Sequence, residues 1–186
     1  AALLFVCAWF AAAAAPVHAQ QLLPAQSEIA FTSRQMGVPV EGRFRRFDAQ
    51  VSFDPRKPET AKIVLTIDLA SASLGSPETE TELAKPEWFD TRRFPQATFR
   101  STVVRAAGQP GRFEVTGSLA IKGATQDVTV PVVLASVAGG ATAATGSFAI
   151  RRLDYRIGDG DWKDTSMVAN DVQVRFRLLL SGLAPP

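Results

Sequence analysis

The sequence predicts an all-β protein built from about eight antiparallel strands. Apolar and polar residues alternate with a period of two along most of the chain, most clearly where Val172, Val174 and Phe176 alternate with Gln173 and Arg175. Glycine, proline and aspartate pairs recur between the alternating segments, as turns between short strands require. Only one stretch is rich in helix formers. Together these features indicate consecutive strands with short connections.

Each strand is predicted from its own alternating run. In the third run, Ile63, Leu65 and Ile67 share one face, whereas Lys62 and Thr66 lie on the other. In chain order, the predicted strands lie at residues 28–34, 40–53, 61–70, 97–106, 112–121, 127–137, 142–153 and 172–180.

Two segments depart from the alternation. The first, PETETELAKPEWF, predicts a short helix at 78–84, with Ser76 as its N-cap and Pro77 at its first position, followed by a turn that contains Trp88. The second, at 154–168, is rich in glycine and aspartate and is predicted as a long loop or a kinked crossover.

Two architectures accommodate these strands. Eight antiparallel strands with polar outer faces suit a curved sheet that closes on itself, because closure removes exposed edges and leaves room for one small ligand. A β-sandwich with a solid core has the same alternation. Periodicity alone therefore leaves the choice between barrel and sandwich open.

The first 19 residues are predicted to be a secretory signal peptide. Residues 1–15 are apolar and uncharged, Pro16 ends the run, and Val17-His18-Ala19 provides a cleavage site before Gln20. A membrane anchor is the alternative, but the run is short for a transmembrane helix. We therefore expect one exported domain at 20–186.

Composition narrows the function classes. Cys7 and His18 are the only cysteine and histidine, and both lie in the signal segment. The exported domain is thus expected to lack disulfides, thiolate nucleophiles, histidine–cysteine metal sites and histidine-based triads. Paired carboxylates such as Glu87 and Asp90 are the remaining acid–base option. A net charge of +2 without a basic stripe argues against nucleic acid as a partner.

Several ordered motifs resemble the YceI-like family of bacterial periplasmic proteins. They are SEIAFT at 27–32, GRFRRF at 42–47, WFD at 88–90 with FPQATF at 94–99, and VTGSLAIKGAT at 115–125. The resemblance covers about residues 26–182. One stretch departs from it, because ETETELAK at 78–85 lacks the histidine that many members carry there.

The resemblance implies an eight-stranded, lipocalin-like antiparallel barrel in the periplasm, with a polyisoprenoid or another long-chain amphiphile in its interior. Some family members accompany b-type cytochromes of the inner membrane. A quinone-like ligand and such a cytochrome partner are therefore further expectations. A monomer or a homodimer fits equally well, and no cofactor or metal is expected.

Candidate binding residues follow from the inward positions and the resemblance. Trp88 and Phe89 are predicted to cover one barrel mouth, and Trp162 to close the other end, although all three suit an end plug as well. Arg43, Arg45 and Arg46 are candidates for contact with a headgroup, with a solvated outer face as the alternative. The predicted apolar lining, which would equally fill a solid core, comprises Phe31, Met36, Phe44, Phe47, Ile63, Leu65, Ile67, Trp88, Phe89, Phe99, Phe148 and Trp162.

The leading hypothesis is a periplasmic binding or carrier protein for such a lipid, without enzymatic activity. Two other classes stay open. A ligand-free stress-response partner protein predicts a filled core and an exposed apolar patch. A hydrolase or isomerase for a small substrate predicts polar residues that converge inside the barrel.

Overall fold

The computed structural model describes residues 20–183, so the predicted signal segment lies outside the described residues. The alternating runs form strands and the helix-rich stretch forms α1 (Pro77–Leu83). The strands are β1 (Gln20–Leu22), β2 (Glu28–Gln35), β3 (Val38–Phe44), β4 (Phe47–Ser52), β5 (Lys62–Asp68), β6 (Ala72–Ser73), β7 (Gln96–Ala106), β8 (Arg112–Ile121), β9 (Ala124–Ser136), β10 (Thr142–Arg151) and β11 (Asp171–Ser181). Short 3₁₀ turns lie at Pro24–Gln26, Pro58–Thr60, Leu69–Ser71, Arg152–Tyr155 and Gly160–Lys163.

A ring of eight antiparallel strands closes the sheet. Its order is β1, β4, β5, β7, β8, β9, β10 and β11, and β11 pairs again with β1 through Leu180 opposite Leu22. The other half of β11 pairs with β2, which continues through β3 to β6. The structure thus confirms the predicted eight-stranded antiparallel barrel with one short helix and a long loop, and it excludes the sandwich.

The run predicted as one strand at 40–53 is two strands, β3 and β4, with a bend at Arg45 and Arg46. The backbone N–H of Arg45 donates to the Ser71 carbonyl at 3.1 Å, and that of Arg46 donates to Ser71 Oγ at 3.0 Å. Ser71 ends the 3₁₀ turn between β5 and β6, where Asp68 accepts from the Ala70 N–H at 2.9 Å. The chain therefore bends at the same level of the sheet between β3 and β4 and between β5 and β6.

Two apolar clusters occupy opposite ends of the barrel. One lies where α1 and the 152–170 segment cover the barrel, which we call the helix end, and it includes Trp88, Phe89 and Tyr155. The other lies near Gln20 and Leu183, which we call the terminus end. No helix within residues 20–183 has the length and apolar character needed to cross a membrane.

Candidate ligand cavity

An internal cavity of about 340 Å³ runs between the two apolar clusters. Its lining extends from Trp88 and Trp162 at the helix end to Phe113 and Leu183 at the terminus end. The size falls in the range of small-molecule sites in proteins. A barrel of this strand number is known to hold one small ligand, so the interior here is a lumen rather than a filled core.

The lumen is apolar because every strand except the short β1 and β6 contributes alternate residues to it. β5 contributes Ile63, Leu65 and Ile67, and β10 contributes Phe148 and Ile150. From β11, the inward positions are Val172, Val174, Phe176, Leu178 and Leu180. The period of two in the sequence is thus the direct cause of the apolar wall.

Glycines on neighbouring strands leave space for aromatic rings along this wall. A Cβ at Gly146 would lie 2.5 Å from the ring of Phe176, and one at Gly117 would lie 2.6 Å from the ring of Phe99. A Cβ at Gly42 would likewise meet the ring of Phe31. Each ring lies over a glycine, where a backbone without a side chain permits close approach. This arrangement keeps large side chains against the wall and the lumen open.

Ten of the twelve predicted lining residues line the cavity. The two others lie elsewhere. Met36 is 77% exposed in the turn between β2 and β3, and Phe47 is half-buried beside the bend without reaching the lumen. The lining set comprises Phe31, Phe44, Ile63, Leu65, Ile67, Trp88, Phe89, Phe99, Phe148 and Trp162.

Trp88 and Trp162 close the same end of the barrel, contrary to the prediction that Trp162 covers the other end. Their ring centroids are 5.4 Å apart. The segment that carries Trp162 joins Arg151 to Asp171, which pair at the helix end, so it has to return there. Phe44 extends the aromatic contacts into the lumen, with centroid distances of 6.2 Å to Phe89 and 5.3 Å to Phe31.

Arg152 organises this end, although the sequence analysis did not single it out. Its side chain is 2% exposed, and its guanidinium donates to five backbone carbonyls. These belong to Ala169 at 3.0 Å, Ile157 at 2.9 Å, Gly158 at 3.0 Å, Trp162 at 2.7 Å and Val168 at 2.7 Å. Its side chain borders the lumen, but its hydrogen bonds hold the 152–170 segment in place. A signal was present, because Arg152 lies just beyond β10 and continues the even-numbered inward positions of Phe148 and Ile150.

Burial shifts the pKa of three groups at the helix end. It lowers the pKa of Arg152, whose guanidinium still keeps its charge, as arginine does in practically all protein environments. It also lowers the pKa of Lys122, whose Nζ donates to the Arg156 carbonyl at 2.7 Å. Burial, with the charge of Asp154, raises the pKa of Tyr155 to about 12. Tyr155 therefore stays neutral near neutral pH.

The polar members of the lining cluster on one side of the helix end. Ser33 and Gln35 lie on β2, and Thr79 and Glu82 lie on α1, with Val40 of β3 among them. All five are half-buried or exposed while they line the cavity, so the lumen reaches solvent between α1 and the β2–β3 hairpin. We call this opening the portal. Within residues 20–183, no group of three or more histidine, cysteine, aspartate or glutamate side chains is placed to hold a metal ion.

The predicted headgroup residues Arg43, Arg45 and Arg46 lie on the outer surface, and none lines the cavity. Arg45 forms an ion pair with Glu80 of α1 at 3.2 Å, and Arg46 forms one with Asp68 at 2.8 Å. Only a headgroup that projects outside the barrel would reach them, so their headgroup role stays a prediction.

A family model described as the YceI-like domain matches residues 21–180. A UPF0312 protein of Azotobacter vinelandii is 37% identical over 95 residues, 51% of this chain and 47% of that protein. Protein YceI of Salmonella arizonae is 34% identical over 93 residues, 50% of this chain and 48% of that protein. The matched stretch spans about half the length of these curated relatives.

Solved structures share the barrel. BcnA of Burkholderia cenocepacia superposes with a TM-score of 0.81 and 42% identity, over 85% of this chain and 98% of that chain. A polyisoprenoid binding domain from Saccharophagus degradans, implicated in plant cell wall breakdown, superposes with a TM-score of 0.71, over 87% of this chain and 97% of that chain. At 18% identity, the second likeness shows the fold alone.

Proposed function

We propose that this chain, which belongs to the YceI-like family, binds and carries a polyisoprenoid or a similar long-chain amphiphile in its barrel. The observation that carries the proposal is the apolar lumen, whose wall, as formed by residues 20–183, contains no polar side chain outside the helix end. Burial of an apolar chain supplies affinity of roughly 25 cal/mol per Å² before the cost of ordering the chain. The tail would lie between the two apolar clusters.

The polar end of the ligand would lie at the portal. Ser33, Gln35 and Thr79 offer neutral hydrogen-bonding groups there, and Glu82 offers a carboxylate that is paired with Lys85. This set suits a hydroxyl or carbonyl head, including that of a quinone-like molecule, better than a diphosphate. A diphosphate would need several free cationic donors close together.

Binding is favoured over catalysis by the same lining. An enzyme for a small substrate needs convergent polar groups, whereas the donors of Arg152 are directed to backbone carbonyls and the other polar members lie at the portal. The family and the polyisoprenoid-binding neighbour support this choice. A periplasmic location, an inner-membrane b-type cytochrome as partner, and function without a cofactor belong to the proposal as expectations from the sequence.

Native mass spectrometry tests the proposal. The chain, purified from a bacterial host with its exported domain intact, is expected to carry a lipid mass that organic extraction removes. The extracted protein should then rebind geranylgeraniol at least as tightly as geranylgeranyl diphosphate. A ligand-free mass together with no rebinding of either prenyl compound would show that the lumen is not a lipid site. Preference for the diphosphate would instead favour the outer arginines as headgroup contacts.

A further inference from the structure

Exposed apolar side chains gather beside the portal. Within residues 20–183, five large hydrophobic side chains are exposed: Met36, Val38, Val103, Val133 and Met167. Met36, Val38 and Met167 are the three most exposed, at 77%, 63% and 45%. We call these three residues the tip patch.

Backbone contacts hold the tip patch together. The Met36 N–H donates to the Met167 carbonyl at 2.8 Å, and Gln35 forms a bridge with Val168. Val38 pairs with Gln35 across the β2–β3 hairpin. The two methionines and Val38 thus lie on one projecting edge of the helix end.

The tip patch continues the wall of the lumen. Val38 and Val40 are two residues apart on β3, and their side chains therefore lie on the same face of that strand. Val40 lines the cavity, as do Ser33 and Gln35, which pair with Val40 and Val38. An apolar strand face therefore leads from the interior through the portal to the exposed edge.

The two segments that form this edge carry few charges, whereas Glu82 lies across the portal on α1. Arg34 is the only charged residue from Ser33 to Val40, and residues 165–170 contain none. The Arg34 guanidinium donates to the Gly37 carbonyl at 3.3 Å, which holds it at the tip, and no ion pair within residues 20–183 includes it. An apolar tip with one cation at its base suits the boundary between acyl chains and anionic headgroups.

The small size of the tip patch favours a bilayer over a protein as its partner. A stable protein interface needs about 800 Å² and 20–30 residues on each side. Three side chains fall well short of that, whereas insertion into the interfacial region of a bilayer needs only a small apolar surface with cationic support.

We propose that the tip patch inserts into a lipid bilayer and thereby presents the portal to the membrane surface. The inference rests on the proposed function, because the ligand would enter the lumen directly from the bilayer. With reversible docking, a long apolar chain would pass between the bilayer and the lumen without exposure to water.

Vesicle flotation tests the docking. The chain is mixed with phosphatidylethanolamine vesicles, with and without phosphatidylglycerol. The test protein carries Met36→Asn and Val38→Thr. Asparagine tolerates the positive φ of 47° at position 36, and threonine suits a strand. The matched control carries Val103→Thr and Val133→Thr, which remove exposed apolar groups from other strands.

The wild type is expected to bind the phosphatidylglycerol vesicles more tightly, and the tip variant about tenfold more weakly, with the control within about twofold of wild type. Native mass spectrometry of the same samples keeps the two proposals apart, since the tip variant should retain its lipid. Equal flotation of the tip variant and the wild type would overturn the inference, as would a wild type that binds neither vesicle. If the wild type self-associates and the tip variant does not, the partner of the tip patch is a second copy of this chain rather than a bilayer.

Discussion

Arg152 is a charged side chain in the interior that has no carboxylate partner among the described residues. Its charge is balanced by the dipoles of five carbonyls, which converge because the 152–170 segment wraps around the guanidinium. Hydrogen bonds to a charged donor are stronger than neutral ones, and unsatisfied buried carbonyls are costly. Arg152 therefore stabilises this loop together with the buried apolar residues of the loop, Tyr155, Ile157 and Val168.

Arg152→Met is expected to lower the free energy of unfolding by about 3–5 kcal/mol, because it leaves five carbonyls without their donor. Arg152→Lys should lower the free energy of unfolding by less, since an ammonium can donate to some of these carbonyls. It lacks the planar, forked donor geometry of a guanidinium and cannot reach all five. Urea unfolding followed by tryptophan fluorescence measures both, with the exposed neighbour variant Arg151→Met as control. If the urea midpoints of both Arg152 variants match that of Arg151→Met, Arg152 does not have this stabilising role.

At the residue scale, the alternation predicts which side chains face inward, and ten of the twelve predicted lining residues do so. Met36 and Phe47 mark where this reasoning fails. Phe47 has the odd-numbered parity of the inward residues Ala49 and Val51 of β4, but it is the first residue of that strand, beside the bend, and does not reach the lumen. Met36 lies in a turn, where alternation has no meaning.

α1 is held over the portal by a few polar contacts, and none of its residues is buried. Glu80 accepts from Ser73 Oγ at 2.7 Å and pairs with Arg45 at 3.2 Å, while Thr79, Glu82 and Leu83 face the cavity. The helix has seven residues and would not form alone in water. Its position over the portal thus depends on Glu80.

Glu80→Ala is expected to loosen α1 without unfolding the barrel. Hydrogen exchange at residues 76–84 should become severalfold faster, whereas the free energy of unfolding should fall by less than about 1 kcal/mol, because the lost pair is exposed. Release of geranylgeraniol should be faster in the same variant.

Glu78→Ala is the matched control on the same helix, since the Glu78 carboxylate accepts locally, from the Ser76 hydroxyl at 2.5 Å and from its own backbone N–H. Unchanged exchange in Glu80→Ala, or an equal effect in both variants, would show that Glu80 does not hold α1.

The sequence predicts a strand or helix well where a local pattern, such as alternation or a helix start signal, is present. β8 has its predicted bounds, and the helix is displaced by one residue. The short strands β1 and β6 carry no alternating pattern, because two or three residues cannot show one. They exist through pairing with β11, β4 and β3, which are remote in sequence.

Closure of the barrel is a property of the whole molecule. β11 pairs with β2 along one half and with β1 at its end, so one strand joins the two edges of the sheet. The period of two is the same in a barrel and a sandwich, and it was the family resemblance that separated them. The size of the lumen was also beyond sequence reasoning, because it depends on glycines that lie under rings of other strands.

The length of the lumen leads to a prediction about ligand length. Ala144 lies in the apolar cluster at the terminus end and also lines the cavity, so a larger side chain there would shorten the lumen without touching the portal. Ala144→Phe is expected to weaken binding of geranylgeraniol at least about tenfold while geraniol, with a shorter chain, still binds. Because a cavity accepts the ring, stability should fall by less than about 1.5 kcal/mol.

Fluorescence titration of the extracted protein measures both ligands, and Ala149→Phe on the exposed face of the same strand is the matched control. If both variants bind geranylgeraniol as the wild type does, the prenyl chain does not reach the terminus end. If Ala144→Phe loses geraniol as well while it stays folded, the ligand enters from the terminus end rather than through the portal. Only selective loss of the longer chain fits a ligand whose polar end stays at the portal and whose tail extends the length of the barrel.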